Sequence, residues 1–240
     1  DYIASLRELQ GLIGACEWRK KGIEIPALHA RIHPHYGVFA PIRSEYVELV
    51  AAAPLPALIA TQSLPFDIGT GTGVLAAVLA RRGIQRVIAT DQDLRALDCA
   101  RENLARLGLA AQVEVVQADL FPEGQAALIV CNPPWIPARP SSPLENAIFD
   151  PDSRMLRGFL HGLKCHLAPG GEGWLILSDF AEHLGLRTRE ELLEMIDAAG
   201  LKVLSQANIK PHHPRVSDIS DPLHAARQAE LTTLWRLTVK

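Results

Sequence analysis

The sequence predicts an α/β fold built as a doubly wound sheet, and three observations support this prediction. From residue 64 onward, short apolar runs of strand length alternate with segments whose apolar residues recur at helical spacing. A glycine-rich turn joins the first of these strands to the first helix. Strands that alternate with helices imply a mostly parallel sheet covered on both faces. The 240 residues, 48% of them apolar, can fill one such domain with a modest extension.

The N-terminal part, residues 1–42, is predicted to be a helical extension followed by a connection. Apolar residues over 5–20 recur every three or four positions, which indicates a helix. The stretch 22–41 is rich in glycine, proline and histidine and is expected to be a long connection. A second helix is expected over 44–53, so residues 43–240 are assigned to the main domain.

Strands and helices are then predicted to alternate along the main domain. Strands are expected at 64–68, 86–90, 113–117, 126–131, 173–177, from 202 to 205, and at 231–239, and helices at 72–82, 94–107, 153–167 and 189–199. Pro169-Gly170-Gly171 is interpreted as the stop of the helix before it, and Gly200 as the stop of the next helix. The last strand alternates in polarity and carries Thr, Trp and Val, which are favoured in strands.

Charge and cysteine content exclude several classes of protein. A formal net charge of −3 gives no global attraction to nucleic acid or anionic membranes. The four cysteines are scattered, without a Cys-x-x-Cys pair or histidines at zinc spacing. We therefore predict no metal site and expect a reduced, cytoplasmic location. No apolar stretch is long enough to span a membrane and nothing resembles a signal peptide, so no membrane partner is expected.

The glycine-rich turn, Asp67-Ile68-Gly69-Thr70-Gly71-Thr72-Gly73, predicts a ligand site. In doubly wound sheets, ligands bind at the carboxyl ends of the strands, where this turn is expected. Glycine allows positive φ and a close approach of a ligand to the backbone. A dinucleotide site would need its third glycine at position 74, which is a valine. A G-x-G-x-G turn after an acidic residue is instead typical of the S-adenosylmethionine site of many methyltransferases.

Two carboxylates after the next two strands strengthen this interpretation. Asp91 ends the strand that follows the turn, where a carboxylate can accept hydrogen bonds from two ribose hydroxyls. Asp119, after the third strand, is placed to accept a hydrogen bond from the adenine amino group, with Leu120 or Phe121 beside the ring. Asp93 is interpreted only as the N-cap of the following helix.

A second motif, Asn132-Pro133-Pro134-Trp135, ends the fourth strand. Two consecutive prolines cannot continue a strand ladder, and they leave a stiff segment with fixed carbonyl directions. The amide oxygen of Asn132 and the carbonyl of Pro133 can both accept hydrogen bonds from one NH2 group, and Trp135 offers a flat stacking face. Amide and nucleobase nitrogens have delocalised lone pairs. Two acceptors orient such a nitrogen and stabilise the positive charge that develops on it.

With both motifs, the chain resembles class I S-adenosylmethionine-dependent N-methyltransferases that carry an (Asn/Asp)-Pro-Pro-aromatic motif. It is most similar to the small methyltransferase domain group, which includes release-factor glutamine methyltransferases and ribosomal RNA N-methyltransferases. The resemblance implies a Rossmann-like sheet of seven strands in the order 3-2-1-4-5-7-6, with the last strand antiparallel. The segment 36–41 resembles the one that closes over the donor in this group, which implies a donor contact for Phe39.

The resemblance also implies a role for each motif residue. The turn would line the methionine portion of the donor, Asp91 the ribose and Asp119 the adenine, while Asn132 and Pro133 would bind the target amine. The predicted catalytic residues are Asn132, Pro133 and Trp135. The predicted cofactor-binding residues are Asp67, Gly69, Thr70, Gly71, Gly73, Asp91, Asp119, Leu120 and Phe39.

The methyl acceptor stays open at this point. The glutamine methyltransferases usually have tyrosine where this chain has Trp135, and their glycine-rich stretch after the motif is replaced here by 147–152. A protein glutamine, an RNA base amino group and a small molecule are the alternatives, and the negative net charge favours protein or a small molecule over RNA. A different class, a catalytically silent binding partner of an active enzyme, is disfavoured because such a copy has no chemical reason to retain Asn132.

Two further features are given simpler interpretations. Asp150 before Pro151 has the arrangement of a helix N-cap, which we favour over a catalytic role. The stretch 211–215, Pro-His-His-Pro-Arg, lies between the last two predicted strands and is either an acceptor contact or a solvated loop.

Nothing in the sequence around Cys131 indicates a lowered thiol pKa.

Overall fold

The computed structural model describes residues 6–61, 64–139, 148–211 and 223–240. The α-helices in these ranges are α1 (Leu6–Lys21), α2 (Glu45–Ala52), α3 (Val74–Arg81), α4 (Leu94–Arg106), α5 (Arg154–His166), α6 (Phe180–His183), α7 (Arg189–Ala198) and α8 (His224–Ala229). The strands are β1 (Ile23–Ile25), β2 (Ala30–Ile32), β3 (Pro65–Ile68), β4 (Val87–Asp91), β5 (Val113–Gln117), β6 (Ala126–Cys131), β7 (Leu167–Ser178), β8 (Leu201–Ile209) and β9 (Thr232–Val239).

Seven of these strands form one sheet in the order β5-β4-β3-β6-β7-β9-β8. Counted from β3 as the first strand of the sheet, this order is 3-2-1-4-5-7-6. The strands from β5 to β7 pair in parallel, whereas β9 is antiparallel to both of its neighbours. The predicted doubly wound α/β sheet with an antiparallel last strand is confirmed.

The two faces of the sheet are covered by two separate apolar clusters. One contains α3 and much of α2 together with the buried side chains Ile25 and Ile32 of the β1–β2 hairpin. The other contains the apolar face of α5, whose residues Leu156, Phe159 and Leu163 are spaced three and four apart and fully buried. Burial on both faces explains why β6 is apolar at every position from 126 to 131.

The winding of the chain reverses between β3 and β6, and this reversal positions the site. The chain runs from β3 outward through β4 and β5, then returns to place β6 on the other side of β3. Ile68 and Cys131 are register partners at the ends of these two strands. The glycine turn and the Asn-Pro-Pro-Trp segment therefore leave the sheet side by side, at the crevice where such folds bind ligands.

Two predictions of local structure are wrong. The stretch 22–41 is not only a connection, because β1 and β2 pair as a hairpin that buries Ile25 and Ile32. The helix before Pro169 already ends at His166, so the triplet 169–171 lies inside β7. The reason is a bulge opposite β6: a side chain at Gly171 would lie about 3.0 Å from the carbonyl oxygen of Ala127, so only glycine fits.

The assignment of 1–42 and 43–240 as separate parts stays a prediction. The hairpin contributes side chains to the same apolar cluster as α3.

Among the described residues, no helix is long and apolar enough to cross a membrane. The same ranges hold no group of three or more His, Cys, Asp or Glu side chains arranged to hold a metal ion.

Candidate active site

The glycine turn between β3 and α3 is organised by the buried carboxylate of Asp67. Its Oδ2 accepts hydrogen bonds from Thr70 Oγ1 at 2.6 Å and from the backbone N–H of Ala76 at 3.0 Å. The backbone N–H of Thr70 donates to the carbonyl of Thr90 at 2.8 Å, which fastens the turn to the end of β4. The side chain of Thr70 therefore stabilises the turn from within.

The three glycines of the turn serve different purposes. All have positive φ, +69° at Gly69, +54° at Gly71 and +80° at Gly73. A side chain at Gly73 would lie 3.2 Å from the backbone of Ala100, so this glycine permits close packing of α4. A side chain at Gly69 would lie 2.4 Å from the methyl group of Met155, whereas at Gly71 nothing comes nearer than 3.9 Å. Gly71 thus borders open space, whereas the side chain of Met155 covers Gly69.

Asp91, the last residue of β4, faces the same turn. Its Oδ2 accepts a hydrogen bond from the backbone N–H of Gly71, and its Oδ1 accepts one from the N–H of Asp93, each at 3.0 Å. Burial raises the pKa of Asp91, and the two backbone hydrogen bonds partly oppose this effect. The N-cap prediction for Asp93 is confirmed, since its side chain accepts a hydrogen bond from the N–H of Arg95.

The residues predicted to surround adenine follow β5. Asp119 is exposed and its Oδ2 lies 2.7 Å from Arg154 Nη2, at the start of α5. Leu120 has a positive φ of 75°, a strained conformation for leucine, and its carbonyl accepts a hydrogen bond from Thr90 Oγ1 at 2.6 Å. Phe121 stacks on Phe159 and on His166 instead, with ring centroids 6.0 and 4.5 Å away. Leu120, not Phe121, stays the candidate for the ring contact.

The first and last residues of the Asn-Pro-Pro-Trp segment share a hydrogen bond that the sequence did not predict. Trp135 Nε1 donates to Asn132 Oδ1 at 2.9 Å. The guanidinium carbon of Arg43 lies 5.5 Å from the centre of the Trp135 ring, so one face of the ring is already covered. Pro133 is buried. Arg43 therefore competes with an acceptor for one face of the Trp135 ring, and Asn132 Oδ1 retains one lone pair for an acceptor N–H.

The segment before α2 reaches the glycine turn through a neighbour of the predicted residue. Val38 is the side chain nearest the open space at Gly71. Phe39 packs into the core, with its ring 6.3 Å from that of Tyr46. The segment 36–41 does lie beside the turn, while a donor contact of Phe39 stays a prediction.

Comparison with known proteins identifies the domain. The model of the methyltransferase small domain matches residues 30–193. The chain belongs to the methyltransferase small domain family. The predicted family resemblance and the predicted cofactor, S-adenosylmethionine, are confirmed.

Individual relatives of this methyltransferase domain act on protein. A release factor glutamine methyltransferase of Cereibacter sphaeroides is 34% identical over 154 residues, which are 58% of this chain and 52% of that protein. A ribosomal protein L11 methyltransferase of Symbiobacterium thermophilum is 41% identical over 78 residues, 32% of this chain and 26% of that protein. The chain thus spans about half or less of the length of these curated relatives.

A solved structure shows the shared fold. A S-adenosylmethionine-dependent methyltransferase from Thiobacillus denitrificans, in complex with S-adenosylhomocysteine, has a TM-score of 0.53. The match covers 87% of this chain and 95% of that one at 16% identity. At this identity the likeness concerns the fold alone.

Three residues that support the methyltransferase site were not predicted. Thr90 fastens both the glycine turn and Leu120. Asn103 Nδ2 donates to the carbonyl of Thr72 at 3.1 Å, from the middle of α4. Met155 lies over Gly69. Only Asn103 carried a signal, because asparagine is unfavourable inside a helix unless its side chain bonds elsewhere.

Two minor predictions have different outcomes. The carboxylate of Asp150 accepts hydrogen bonds from the backbone N–H groups of Met155 and Leu156, at 2.9 and 3.1 Å. The predicted N-cap position of Asp150 is confirmed for the short 3-10 helix Pro151–Ser153, while its side chain bonds to the first turn of α5. The stretch 211–215 was interpreted as either an acceptor contact or a solvated loop, and its residues 212–215 lie outside the described residues.

Burial raises the pKa of Cys131 well above the ordinary thiol value, so this thiol is not activated.

The raised pKa of Asp67 predicts that donor binding depends on pH. Burial raises this pKa to about 6, and the hydrogen bonds from Thr70 and Ala76 only partly oppose it. A raised carboxyl pKa stabilises the ligand-free fold at low pH, and this stabilisation is lost as pH rises from about 4 to about 6. A cationic donor favours the ionised form. We expect the affinity for S-adenosylmethionine to rise up to about tenfold from pH 5 to pH 7 in calorimetry.

The control for this pH dependence is Asp67→Asn, which keeps an acceptor for Thr70 and Ala76 but cannot ionise. Its donor affinity should change little over the same pH range. An equally steep pH dependence in this variant would assign the effect to another group. Asp91, whose pKa is also raised by burial, would then be the next candidate.

Proposed function

We propose that this chain transfers the methyl group of S-adenosylmethionine to a planar nitrogen, the side-chain amide of a protein glutamine. When bound, S-adenosylmethionine supplies a methyl group activated by its sulfonium. The residues of this chain bind the donor, orient the acceptor nitrogen and stabilise the charge that forms on it. No covalent nucleophile is required of the protein.

The observation that supports this proposal most directly is the register of β3 and β6. Ile68 pairs with Cys131, so Gly69 and Asn132 are the first residues beyond neighbouring strand ends. A donor against the glycine turn and an amine held by Asn132 would therefore meet at one crevice. The open space at Gly71 and the carboxylate of Asp91, which the backbone N–H of Gly71 orients, are available to such a donor.

The acceptor chemistry follows from what Asn132 and Pro133 offer. Both oxygens accept hydrogen bonds from N–H groups, so they orient the nitrogen and stabilise positive charge on it as the new bond forms. The proton is lost afterwards to water, which is why a strong base is unnecessary. A carboxamide is flat, so an aromatic ring such as that of Trp135 offers it a stacking surface.

A protein acceptor is favoured over RNA for two reasons. The net charge of −3 gives no long-range attraction to a polyanion. The relatives of this chain include a release factor glutamine methyltransferase and a ribosomal protein L11 methyltransferase, whose names both specify a protein acceptor. A base inside structured RNA would also have to be unstacked before it could reach Asn132.

The experiment that tests this function is transfer of radiolabelled methyl from S-adenosylmethionine into a lysate of the host. The lysate is treated in parallel with protease or ribonuclease, and Asn132→Ala serves as the background. We expect label that is lost with protease, survives ribonuclease and is released as N-methylglutamine on complete proteolysis.

Other outcomes would contradict parts of the proposal. Label that is lost with ribonuclease would replace the protein acceptor with RNA. Label found only in molecules that pass an ultrafiltration membrane would indicate a small-molecule acceptor. Binding of S-adenosylhomocysteine without any label above the Asn132→Ala background would favour the silent partner subunit.

A further inference from the structure

Trp135 is connected to a distant part of the chain through Arg43. The Arg43 guanidinium carbon lies 5.5 Å from the Trp135 ring centre, within the range of a cation–π contact. Its Nη2 lies 2.9 Å from Glu230 Oε1, in the residue that precedes β9 by two positions. Arg43 therefore joins the segment before α2, the Asn-Pro-Pro-Trp segment and the entrance to β9.

Glu230 is a fixed anchor for this arginine. It is 1% exposed, and its Oε1 accepts a hydrogen bond from Ser178 Oγ at 2.5 Å. Ser178 Oγ in turn accepts one from the backbone N–H of Phe180 at 3.0 Å. A buried carboxylate needs a counter-charge, and Arg43 is the ion-pair partner that the described residues show for it.

The arrangement is poorly explained by stability alone. The contact between Arg43 and Glu230 is an ion pair without hydrogen-bond alignment, and the buried Nε of Arg43 has no hydrogen-bond partner within the part of the chain that the structure describes. Removing a guanidinium from water with incomplete hydrogen bonding costs free energy. Apolar side chains in place of both Arg43 and Glu230 would avoid this cost, which favours a role for the pair beyond stability.

The link from Trp135 to the reaction is its indole N–H. An indole nitrogen can only donate, so the 2.9 Å contact selects the orientation in which Asn132 presents Oδ1 and not Nδ2 to the ring edge. The direction of that oxygen depends on the position of the Trp135 ring. Arg43 covers the ring face and thereby restricts this position.

We propose that Arg43 is a positioning residue of the acceptor site, which acts through Trp135 on the carboxamide of Asn132 and is itself held by Glu230. This inference rests on the proposed function of Asn132 as an acceptor of N–H hydrogen bonds. It extends the site to a residue about 90 positions away in the sequence, beyond both motifs.

The first test follows the indole N–H of Trp135 by nitrogen-15 NMR of the full chain with S-adenosylhomocysteine. The chain has four tryptophans, and Trp135→Phe assigns the signal of this one. In the Arg43→Ala variant we expect the indole signal of Trp135 to shift toward the position that it has in the Asn132→Ala variant. We also expect the indole N–H of Trp135 to exchange with solvent at least about threefold faster. The dissociation constant of S-adenosylhomocysteine should stay within about twofold.

The second test is the rate of labelled methyl transfer into the protein fraction of the host lysate. In Arg43→Ala we expect kcat to fall about tenfold, with the KM for S-adenosylmethionine unchanged, because the acceptor nitrogen is misplaced while the donor site is intact. Arg43→Lys keeps the ion pair with Glu230 but loses the flat guanidinium, so it should recover only part of the rate.

Arg189→Ala is the matched control. Arg189 lies 5.1 Å from the Trp235 ring centre and pairs with Glu182 at 3.0 Å, a comparable set of arginine, carboxylate and indole at a different tryptophan. It should move the Trp235 signal and leave the Trp135 signal and kcat unchanged. An unaltered Trp135 signal in Arg43→Ala would overturn the proposal, as would equal losses of donor affinity and rate. The NMR result stands even if the lysate accepts no methyl group, so a failure of the proposed function is recognised separately.

Discussion

Asn132→Ala is expected to lower methyl transfer at least about 100-fold, equivalent to about 2.7 kcal/mol or more of lost transition-state stabilisation. The variant removes the oxygen that would accept an N–H of the target, and it also leaves the indole N–H of Trp135 without its acceptor at 2.9 Å. Donor binding should be nearly unchanged, because the donor contacts are expected at Asp67, Gly71 and Asp91. Transfer assays combined with calorimetry of S-adenosylhomocysteine measure both quantities.

The matched control for this prediction is Asn208→Ala, an exposed asparagine on β8. This variant makes the same chemical change on β8, the edge strand that lies three strands away from β6. It should leave the rate of methyl transfer and the donor affinity unchanged. If Asn132→Ala turned over at the native rate, the role of Asn132 as an acceptor of N–H hydrogen bonds would have to be abandoned. A parallel loss of donor affinity would indicate a folding defect instead.

Asp91→Ala is expected to weaken the affinity for S-adenosylhomocysteine by about 1.5–3 kcal/mol, roughly 10- to 150-fold. The carboxylate is oriented by backbone N–H groups of Gly71 and Asp93, each at 3.0 Å, and each oxygen retains a lone pair for a ribose hydroxyl. Loss of the side chain removes these contacts and loosens the glycine turn. Isothermal titration at pH 7.5 gives the dissociation constants.

Asp98→Ala provides the comparison for this loss. Asp98 is exposed on α4 and pairs only with Arg101 among the described residues, so its removal should leave donor affinity within about twofold. Asp91→Asn, which keeps one acceptor oxygen, should lie between Asp91→Ala and the native chain. A native dissociation constant in Asp91→Ala would exclude this carboxylate from the donor site.

Much of the fold was predictable from local patterns. The alternation of apolar runs and helical spacing located all seven strands of the sheet, because burial on both faces imposes that pattern on the residues themselves. The errors arose where a non-local contact decided the conformation. Gly171 resembles a helix stop, yet it lies in β7 because the backbone of β6 approaches too closely for a side chain.

The sequence by itself predicted the reaction class, methyl transfer from S-adenosylmethionine. It could do so because the glycine turn with Asp91 and the Asn-Pro-Pro-Trp segment are short motifs whose chemistry depends on neighbouring residues. Only the tertiary structure decided how these motifs are supported. It placed Val38 rather than Phe39 beside Gly71, and it brought Arg43 and Glu230 to Trp135. Periodicity and turn residues report the local backbone, whereas a contact between residues far apart in the chain depends on how the packed layers bring them together.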